Sequence, residues 1–251
     1  MAHLTGDDKR RYVAEMFARI SPRYDLMNSL MTGGMHHRWK RDTARLTAAG
    51  AAGTERGGTD GIGATLDIAT GTGDLAFALA NCAGVTAVVG VDLLSEMLSI
   101  AARRRRVGHR PGDTPITFAQ ADALQLPFAD NTFVGATAGF SLRNMPDVPA
   151  AINEMARVVA PGGKVTTLEL TPMRPGIPAM MGRLYFHRFV PLMGQLVAGD
   201  RAAYTYLPDS VDYFLTADGL AEVYRQAGLV NVGYRRLGLG GVALHYGDKP
   251  V

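Results

Sequence analysis

The chain has 251 residues, of which 47% are apolar and 20% charged, and its formal net charge is +3. This length and apolar content suffice for one α/β domain with additions, and they argue against a disordered chain. A charge this small, with no basic face interleaved with aromatic residues, gives no basis for nucleic-acid binding. The single cysteine, Cys82, excludes an intramolecular disulfide and fits a reducing compartment.

The sequence contains no recognisable targeting or membrane-spanning segment. Residues 1–8 lack a basic stretch followed by an apolar one, so they predict no signal peptide. No run of about 18 apolar residues occurs either. We therefore expect a cytoplasmic protein. The run of arginines at residues 103–106 is interpreted as a solvated helix end, with contact to an anionic membrane surface as the alternative.

The segment before the first predicted strand is helical in pattern. Apolar residues at helical spacing, beginning with Val13 and Phe17, predict helices within residues 9–49, with a break at Pro22. The segment is rich in Tyr, Met, His and Trp, so residues 1–49 are predicted to form a helical cap over a pocket. Packing of these helices on the sheet is the alternative, and the two are compatible. Residues 50–63 are predicted to be a flexible linker.

From residue 64 onward, apolar β-branched runs alternate with helical patterns. This alternation predicts a parallel sheet covered by helices on both faces, within one domain at residues 64–251. Proline-rich residues 171–207 interrupt it and are predicted to be a helical insertion. A turn is predicted at residues 161–163. The predicted strands are residues 65–67, 86–91, 116–121, 133–140, 164–170, 230–236 and 241–245.

The glycine-rich stretch LDIATGTGD at residues 66–74 is the strongest single motif. Asp67 is predicted to close a strand, Gly71 and Gly73 to form a tight turn, and Asp74 to cap the next helix. This order presents backbone N–H groups to a ligand at the carboxyl end of a parallel sheet. The motif therefore predicts a nucleotide-type cofactor site, although the pattern alone also fits dinucleotides.

Two acids at later strand ends bear on which cofactor binds. Asp92 is placed to accept both ribose hydroxyls, which NAD and S-adenosylmethionine share, and either acid alone could cap a helix. Asp122 beside an apolar loop suits an adenine amino group and ring face. The final pair of predicted strands is typical of methyltransferases, and no Tyr-x-x-x-Lys pair supplies a hydride-transfer acid. These features favour S-adenosylmethionine, with no metal site.

Eight segments together resemble the quinone-biosynthesis C-methyltransferases of the UbiE/MenG type. The resemblance covers roughly residues 11–249. It is carried by MFARISPRYDLMN (16–28), WK (39–40), LDIATGTGD (66–74), ADALQLPF (121–128), GFSLRN (139–144), EMARVVAPGG (154–163), YTYLPDS (204–210) and GVALH (241–245).

The resemblance implies a class I methyltransferase with a seven-stranded, mostly parallel sheet and an N-terminal helical lid. It implies methyl transfer from S-adenosylmethionine to a ring carbon of a reduced, prenylated demethylquinone of the menaquinone or ubiquinone type. The family's cofactor positions fall on Thr72, Asp92, Asp122 and Ala123, and a further position that can be serine falls on Gly139. With the turn residues, the predicted cofactor site comprises Asp67, Gly71, Thr72, Gly73, Asp92, Asp122, Ala123 and Gly139.

The sequence departs from the family's pattern at two places. Ser141 stands where the family usually has glycine, and the tail carries Tyr246 and Asp248 where Arg and Tyr are expected. Both departures bear on the identity of the acceptor more than on the type of reaction. A methyltransferase acting on another phenolic or polyketide metabolite stays open, as do a non-catalytic sensor of S-adenosylmethionine and a nicotinamide oxidoreductase.

Methylation of a quinol carbon needs a base, or a cation that stabilises the phenolate. Arg143 is the first candidate for that cation, with a structural salt bridge as the alternative. Tyr24, His187 and Tyr206 are further catalytic candidates. The prenyl tail is expected against the apolar residues 180–190, with transient, peripheral contact to the inner face of the plasma membrane. The oligomeric state stays open, a homodimer included.

Overall fold

The computed structural model describes residues 6–51, 63–108, 110 and 112–251. Residues 1–5 and most of the predicted linker, residues 52–62, lie outside this description. Within the described residues, seven strands form one sheet in the order β3-β2-β1-β4-β5-β7-β6, and β7 runs antiparallel to the other six. The strands are β1 Gly63–Ile68, β2 Val85–Asp92, β3 Ile116–Gln120, β4 Phe133–Gly139, β5 Val159–Leu170, β6 Val230–Leu237 and β7 Val242–Asp248.

Helices cover both faces of the sheet and connect its parallel strands, except β3 and β4, which residues 121–132 join without a helix. Short 3₁₀ turns follow α1 at Ser21–Arg23 and β4 at Leu142–Asn144, and π-helical turns flank α8 at Tyr185–Phe189 and Gly194–Ala198. The α-helices are α1 Gly6–Ile20, α2 Tyr24–Thr32, α3 Met35–Ala51, α4 Asp74–Ala80, α5 Ser95–Gly108, α6 Val148–Val158, α7 Ile177–Leu184, α8 Val190–Met193, α9 Arg201–Asp212 and α10 Ala217–Gln226.

The main core lies between the sheet centre and the helices on one face. Every residue of β4 from Phe133 to Ala138 is buried, as a parallel strand covered on both faces requires. Leu66 and Ile68 of β1 pack in the same cluster with Ile152 and Met155 of α6. The centre of the sheet is therefore rigid, and it fixes the loops that leave the carboxyl ends of β1 and β4.

A second apolar cluster joins the N-terminal helices to the insertion after β5. Met16 of α1 and Met27 of α2 are buried with Val190 of α8 and Tyr204 of α9. Together α1, α2 and the helices of residues 177–212 form a layer, which we call the cap. The third N-terminal helix, α3, packs instead on β4 and β5, where the hydroxyl of Thr47 lies 2.6 Å from that of Thr166.

The strand β5 is longer than predicted, because the residues expected to form a turn lie within it. The sequence predicts a turn at residues 161–163, whereas β5 already begins at Val159. The Gly162 N–H donates to the Lys249 carbonyl, and the Lys249 N–H donates to the Gly163 carbonyl, both at 2.8 Å. Pairing with the end of the chain therefore replaces the turn, and it extends β7 beyond the predicted end at residue 245.

The helix after the glycine turn does not begin as predicted. Gly73, not Asp74, is the N-cap of α4, and no side chain caps this helix. Gly73 has φ +91°, and a Cβ there would lie 2.8 Å from the Phe77 ring, so glycine is required. The prediction that Asp74 caps the helix is wrong, because its carboxylate binds Lys40 and Arg104 instead.

His245 on β7 should make folding sensitive to acid. Its ring is buried, its Nε2 lies 2.8 Å from the Ala217 carbonyl oxygen, and burial lowers its pKa to about 4. Because this folded-state pKa lies below the ordinary value of about 6.5, the unfolded chain takes up the proton first. Stability that is present above pH 6.5 is therefore lost as the pH falls toward 4.

We expect His245→Gln to remove up to about 3 kcal/mol of this pH dependence. The measurement is the free energy of unfolding in urea between pH 4.5 and 7.5, for both proteins. His37→Gln, which alters an exposed histidine, is the control and should follow the wild type. Parallel pH profiles for wild type and His245→Gln would contradict the assignment.

Candidate active site

The carboxyl ends of β1, β2 and β4 open into a cavity, which we call the main cavity. Helix α1 covers it with apolar side chains, while the loops after the strands supply its polar groups. Of the twelve residues that the sequence predicts for the site, the structure places six on its wall. These six are Tyr24, Gly71, Asp92, Asp122, Ala123 and Gly139.

Asp67 lies beneath the glycine loop rather than on the wall of the main cavity. Its carboxylate accepts hydrogen bonds from the hydroxyls of Thr70 at 2.6 Å and Thr137 at 2.9 Å. Burial raises the pKa of Asp67 to about 6, and these two hydrogen bonds oppose the rise. Asp67 therefore fixes the loop after β1 to β4.

Asp92 joins the glycine loop to the loop after β2. One carboxylate oxygen accepts the Gly71 N–H at 2.8 Å and the other accepts the Leu94 N–H at 2.9 Å. Asp92 is 8% exposed, and burial raises its pKa. Each oxygen retains lone-pair capacity toward the cavity, so the carboxylate can also accept hydrogen bonds from ligand hydroxyls.

Thr72 and Asp74 bind the glycine loop to three helices and do not line the main cavity. The Thr72 hydroxyl donates to Asp25 of α2 at 2.8 Å. The Asp74 carboxylate contacts the Lys40 ammonium and the Arg104 guanidinium, each at 2.7 Å. Although burial opposes it, these two cations hold the pKa of Asp74 well below its usual range.

Asp122 faces the main cavity in an ion pair with Arg10 of α1. Its other oxygen accepts the Leu124 N–H at 3.0 Å. The cap therefore reaches across the cavity mouth to the end of β3. The sequence did not indicate Arg10, because a basic residue among Lys9, Arg10 and Arg11 is typical of a solvated helix.

The loop after β4 forms the opposite wall of the main cavity. At Gly139 an added Cβ would lie 2.6 Å from the Leu75 side chain, so no larger residue fits without a shift. Arg143 follows in the 3₁₀ turn and is buried. It donates to Glu169 at 2.6 Å and to the Phe140 carbonyl at 2.7 Å. The sequence did not indicate Glu169, which lies inside a strand pattern.

A second cavity lies between α1, α2 and α9, and we call it the cap cavity. Phe17, Tyr24 and Asn144 border both cavities. Arg143 and Tyr206 line the cap cavity, and the Tyr206 hydroxyl donates to the Asn144 side chain at 3.3 Å. The structure thus brings three of the four catalytic candidates together.

The fourth catalytic candidate, His187, lies apart from both cavities. Its Nε2 is 3.1 Å from a carboxylate oxygen of Asp212, and both side chains are partly exposed. His187 lines a different pocket, which Pro172 and Gly241 also border. Gly73 also does not line the main cavity. It packs against Phe77 and Phe118 on the side of the glycine loop away from that cavity.

Comparison of the sequence with known proteins identifies a methyltransferase family. Residues 5–249 match the model of the ubiE/COQ5 methyltransferase family. The chain belongs to this family. A demethylmenaquinone methyltransferase of Thermus thermophilus is 40% identical over 94% of this chain and 100% of its own length. A ubiquinone/menaquinone biosynthesis C-methyltransferase UbiE of Desulfotalea psychrophila is 38% identical over 94% of this chain and 90% of its own length.

Solved structures share the fold at low sequence identity. Magnesium protoporphyrin IX methyltransferase of Synechocystis, solved with bound SAH, has a TM-score of 0.65 and 15% identity, covering 96% of this chain and 99% of its own. The [4+2]-cyclase SpnF has a TM-score of 0.61 and 23% identity, covering 95% and 96%. The predicted family and the predicted class I methyltransferase fold are both confirmed.

We expect the Asp74 ion pairs to hold the glycine loop in shape. Asp74→Asn leaves the Lys40 ammonium, only 11% exposed, without its charged partner. This change should cost about 3 kcal/mol of unfolding free energy in urea. Asp42→Asn is the control, because the Asp42 side chain is 42% exposed and contacts Arg38 and Arg45 only at 3.8 and 3.9 Å. The control should change stability by less than about 0.5 kcal/mol, and equal effects would contradict the prediction.

Proposed function

We propose that this chain transfers a methyl group from S-adenosylmethionine to a ring carbon of demethylmenaquinol, giving menaquinol. The observation that carries the proposal is that, in a chain of this family, the main cavity and the cap cavity lie side by side. One has the polar groups for the methyl donor, and the other is an apolar space lined by buried polar atoms that have no partner among the described residues. Relatives named for both ubiquinone and menaquinone biosynthesis make the ubiquinone-pathway ring a second acceptor.

The main cavity fits S-adenosylmethionine. Asp92 would accept the ribose hydroxyls, Asp122 and Ala123 would face the adenine, and Gly71 would lie against the donor's amino-acid portion. When bound, the donor supplies an electrophilic methyl group. Asp122 would exchange its bond with Arg10 for the adenine amino group. We propose that Asp67, Thr72 and Gly73 act indirectly, by holding the loop that these residues share.

The sheet order indicates where the acceptor binds. The acids at the ends of β3 and β2 lie on one side of β1, and β4 lies on the other. Asp122 and Asp92 would therefore hold the adenosine of the donor on one side of β1, which would leave its methyl group toward β1 and β4. The cap cavity adjoins the main cavity beyond the end of β4, where Tyr24 and Asn144 border both.

The cap cavity fits a ring that carries oxygen substituents. Its wall includes the apolar side chains of Met16, Ile20 and Met31. Arg143 Nε and the Tyr204 hydroxyl are buried there without hydrogen-bond partners among the described residues. Burial raises the pKa of Tyr204 to about 12, so its hydroxyl stays protonated and can donate to a ring oxygen. The sequence motif contained Tyr204 but gave no reason to prefer it to Tyr206.

Arg143 supplies the positive charge that carbon methylation needs. Loss of a ring hydroxyl proton to solvent would make the neighbouring carbon nucleophilic, and a nearby guanidinium would stabilise the resulting phenolate. Glu169 and the Phe140 carbonyl fix the arginine through Nη1, which leaves Nε free to donate. The hydrogen bond from Tyr206 holds the Asn144 side chain in place at the border of the two cavities, next to the proposed position of the acceptor ring. We assign no step to His187.

The test is methyl transfer by the purified protein from S-adenosylmethionine to demethylmenaquinol, with mass spectrometry of the product. We expect a gain of one methyl on the ring. Arg143→Gln should lower kcat by about a hundredfold, and Tyr204→Phe should lower kcat/KM by about tenfold. Arg225→Gln, at an exposed surface pair, is the control and should leave both unchanged.

Outcomes of this assay separate the competing functions. Binding of S-adenosylhomocysteine without transfer to any quinol would favour a sensor, and binding of NAD in its place would favour an oxidoreductase. Transfer only to another phenolic or polyketide compound would overturn the acceptor and retain the reaction. Melting temperatures of the variants show whether lost activity reflects lost folding. This check matters most for Arg143→Gln, because that substitution removes the charged partner of Glu169.

We also propose peripheral contact of the cap with the inner face of the plasma membrane. In the described part of the chain, no helix is both long and apolar enough to cross a bilayer. The cap nevertheless exposes large apolar side chains on α2 and the adjoining helices, which pack together through the Tyr185 hydroxyl and the Met31 carbonyl at 3.2 Å. These exposed residues are Leu26, Leu30, Met180, Met181, Leu184, Phe189, Leu192 and Leu196.

An apolar surface beside a cavity for a prenylated ring suits entry of the substrate from a lipid layer. We expect the protein to float with liposomes at low salt, and the double variant Phe189→Glu, Leu192→Glu to stay in the soluble fraction. Val230→Glu is the control, because Val230 is an exposed apolar residue at the start of the edge strand β6 and not in the cap. Equal flotation of wild type and double variant would count against this surface.

The proposed function does not require a homodimer.

A further inference from the structure

The loop after β4 places a hydroxyl with no partner on the wall of the main cavity. Ser141 lines this cavity, and its Oγ is buried without a hydrogen bond among the described residues. A buried hydroxyl without a partner destabilises the folded protein, so such atoms usually have a reason to be present. Neither the glycine loop nor the Arg143 ion pair uses this group.

Ser141 stands at a position in the chain where a serine hydroxyl usually has a hydrogen-bond partner. Ser141 is the N-cap of the 3₁₀ turn Leu142–Asn144, where a serine side chain ordinarily accepts a backbone N–H. Here the Ser141 carbonyl accepts the Asn144 N–H at 3.0 Å, and the side chain makes no capping bond. The turn therefore closes without the hydroxyl, which leaves the hydroxyl available to a ligand.

The backbone before Ser141 shows how this wall is built. At Gly139 the Leu75 side chain occupies the space that a side chain would need. Phe140 has φ +56°, in the left-handed region, and its N–H donates to the Leu168 carbonyl at 2.7 Å. That bond fixes the strained residue directly before Ser141. The end of β4 therefore presents polar chemistry to the cavity through position 141 and not through position 139.

The sheet order decides which ligand the hydroxyl faces. Asp122 and Asp92 follow β3 and β2, whereas Ser141 follows β4, on the other side of β1. Ser141 also lies three residues before Asn144, which borders both cavities. It thus stands at the end of the main cavity that opens toward the acceptor, away from the groups for adenosine.

We propose that Ser141 is a specificity-determining residue that hydrogen bonds an oxygen substituent of the acceptor ring. The inference rests on the proposed function. A serine hydroxyl can donate to a phenolate or carbonyl oxygen and can accept from a phenol, so it suits a ring whose oxygen changes protonation during methyl transfer. It positions the ring and carries no proton-transfer step.

The test compares wild type with Ser141→Ala and Ser141→Gly in four measurements. These are the KM and kcat for demethylmenaquinol, the Kd for S-adenosylhomocysteine, the Kd for the oxidised quinone in the presence of S-adenosylhomocysteine, and the Tm of the free protein. For Ser141→Ala we expect the acceptor KM and the quinone Kd to rise about tenfold, with kcat within about twofold and the cofactor Kd unchanged. The Tm should stay or rise, because the variant removes an unpaired buried hydroxyl.

Ser210→Ala is the matched control. Its hydroxyl is also buried but donates to the Leu207 carbonyl at 2.7 Å, so its loss should lower the Tm and leave the quinone Kd unchanged. A rise in the cofactor Kd with unchanged quinone Kd would assign Ser141 to the donor and overturn the proposal, as would no change in either. Quinone binding reports on Ser141 even if the wild type transfers no methyl group, so failure of the proposed function stays distinguishable.

Discussion

The shape of the glycine loop depends on buried carboxylates that bind it from below and from the side. Asp67 accepts from Thr70 within the loop and from Thr137 on β4, while Asp92 accepts the Gly71 N–H. Burial raises the pKa of both acids, which shows that the fold opposes their charge and that the hydrogen bonds must offset it. The loop is thus held in place before any ligand arrives, as a site that works by positioning requires.

The cap is tied to this loop by ion pairs and hydrogen bonds, whereas its own interior is apolar. Asp25 of α2 accepts from Thr72 and lies 3.4 Å from Arg104, and Arg10 of α1 pairs with Asp122. Polar contacts of this kind are sensitive to geometry and can exchange partners, while the Met16 and Met27 cluster behind them stays packed. The cap can therefore adjust at the cavity mouth without losing its core.

The sequence predicted the parts of the molecule that follow from local rules. Period and β-branching indicated the strands, and the order of strand, glycine turn and acid indicated where Asp92 and Asp122 would lie. Arg10 and Glu169 could not be found this way, because their partners lie 112 and 26 residues away in the chain and only the fold brings them together. The turn predicted at residues 161–163 was wrong for the same reason, since Lys249 supplies the pairing that extends β5.

This division between local and long-range signals corresponds to the two halves of the proposed site, the donor half and the acceptor half. The donor half is made of strand ends and the loops directly after them, so short motifs specify it. The acceptor half takes Tyr24 from α2, Arg143 from the β4 loop and Tyr204 from α9, which meet only after the cap has packed on the sheet. Under the proposed function, substitutions at residues of the cap cavity or at Ser141 would change which ring is methylated and leave in place the bonds of Asp67 and Asp92 to the glycine loop. Acceptor choice is therefore the property that this fold can most readily vary.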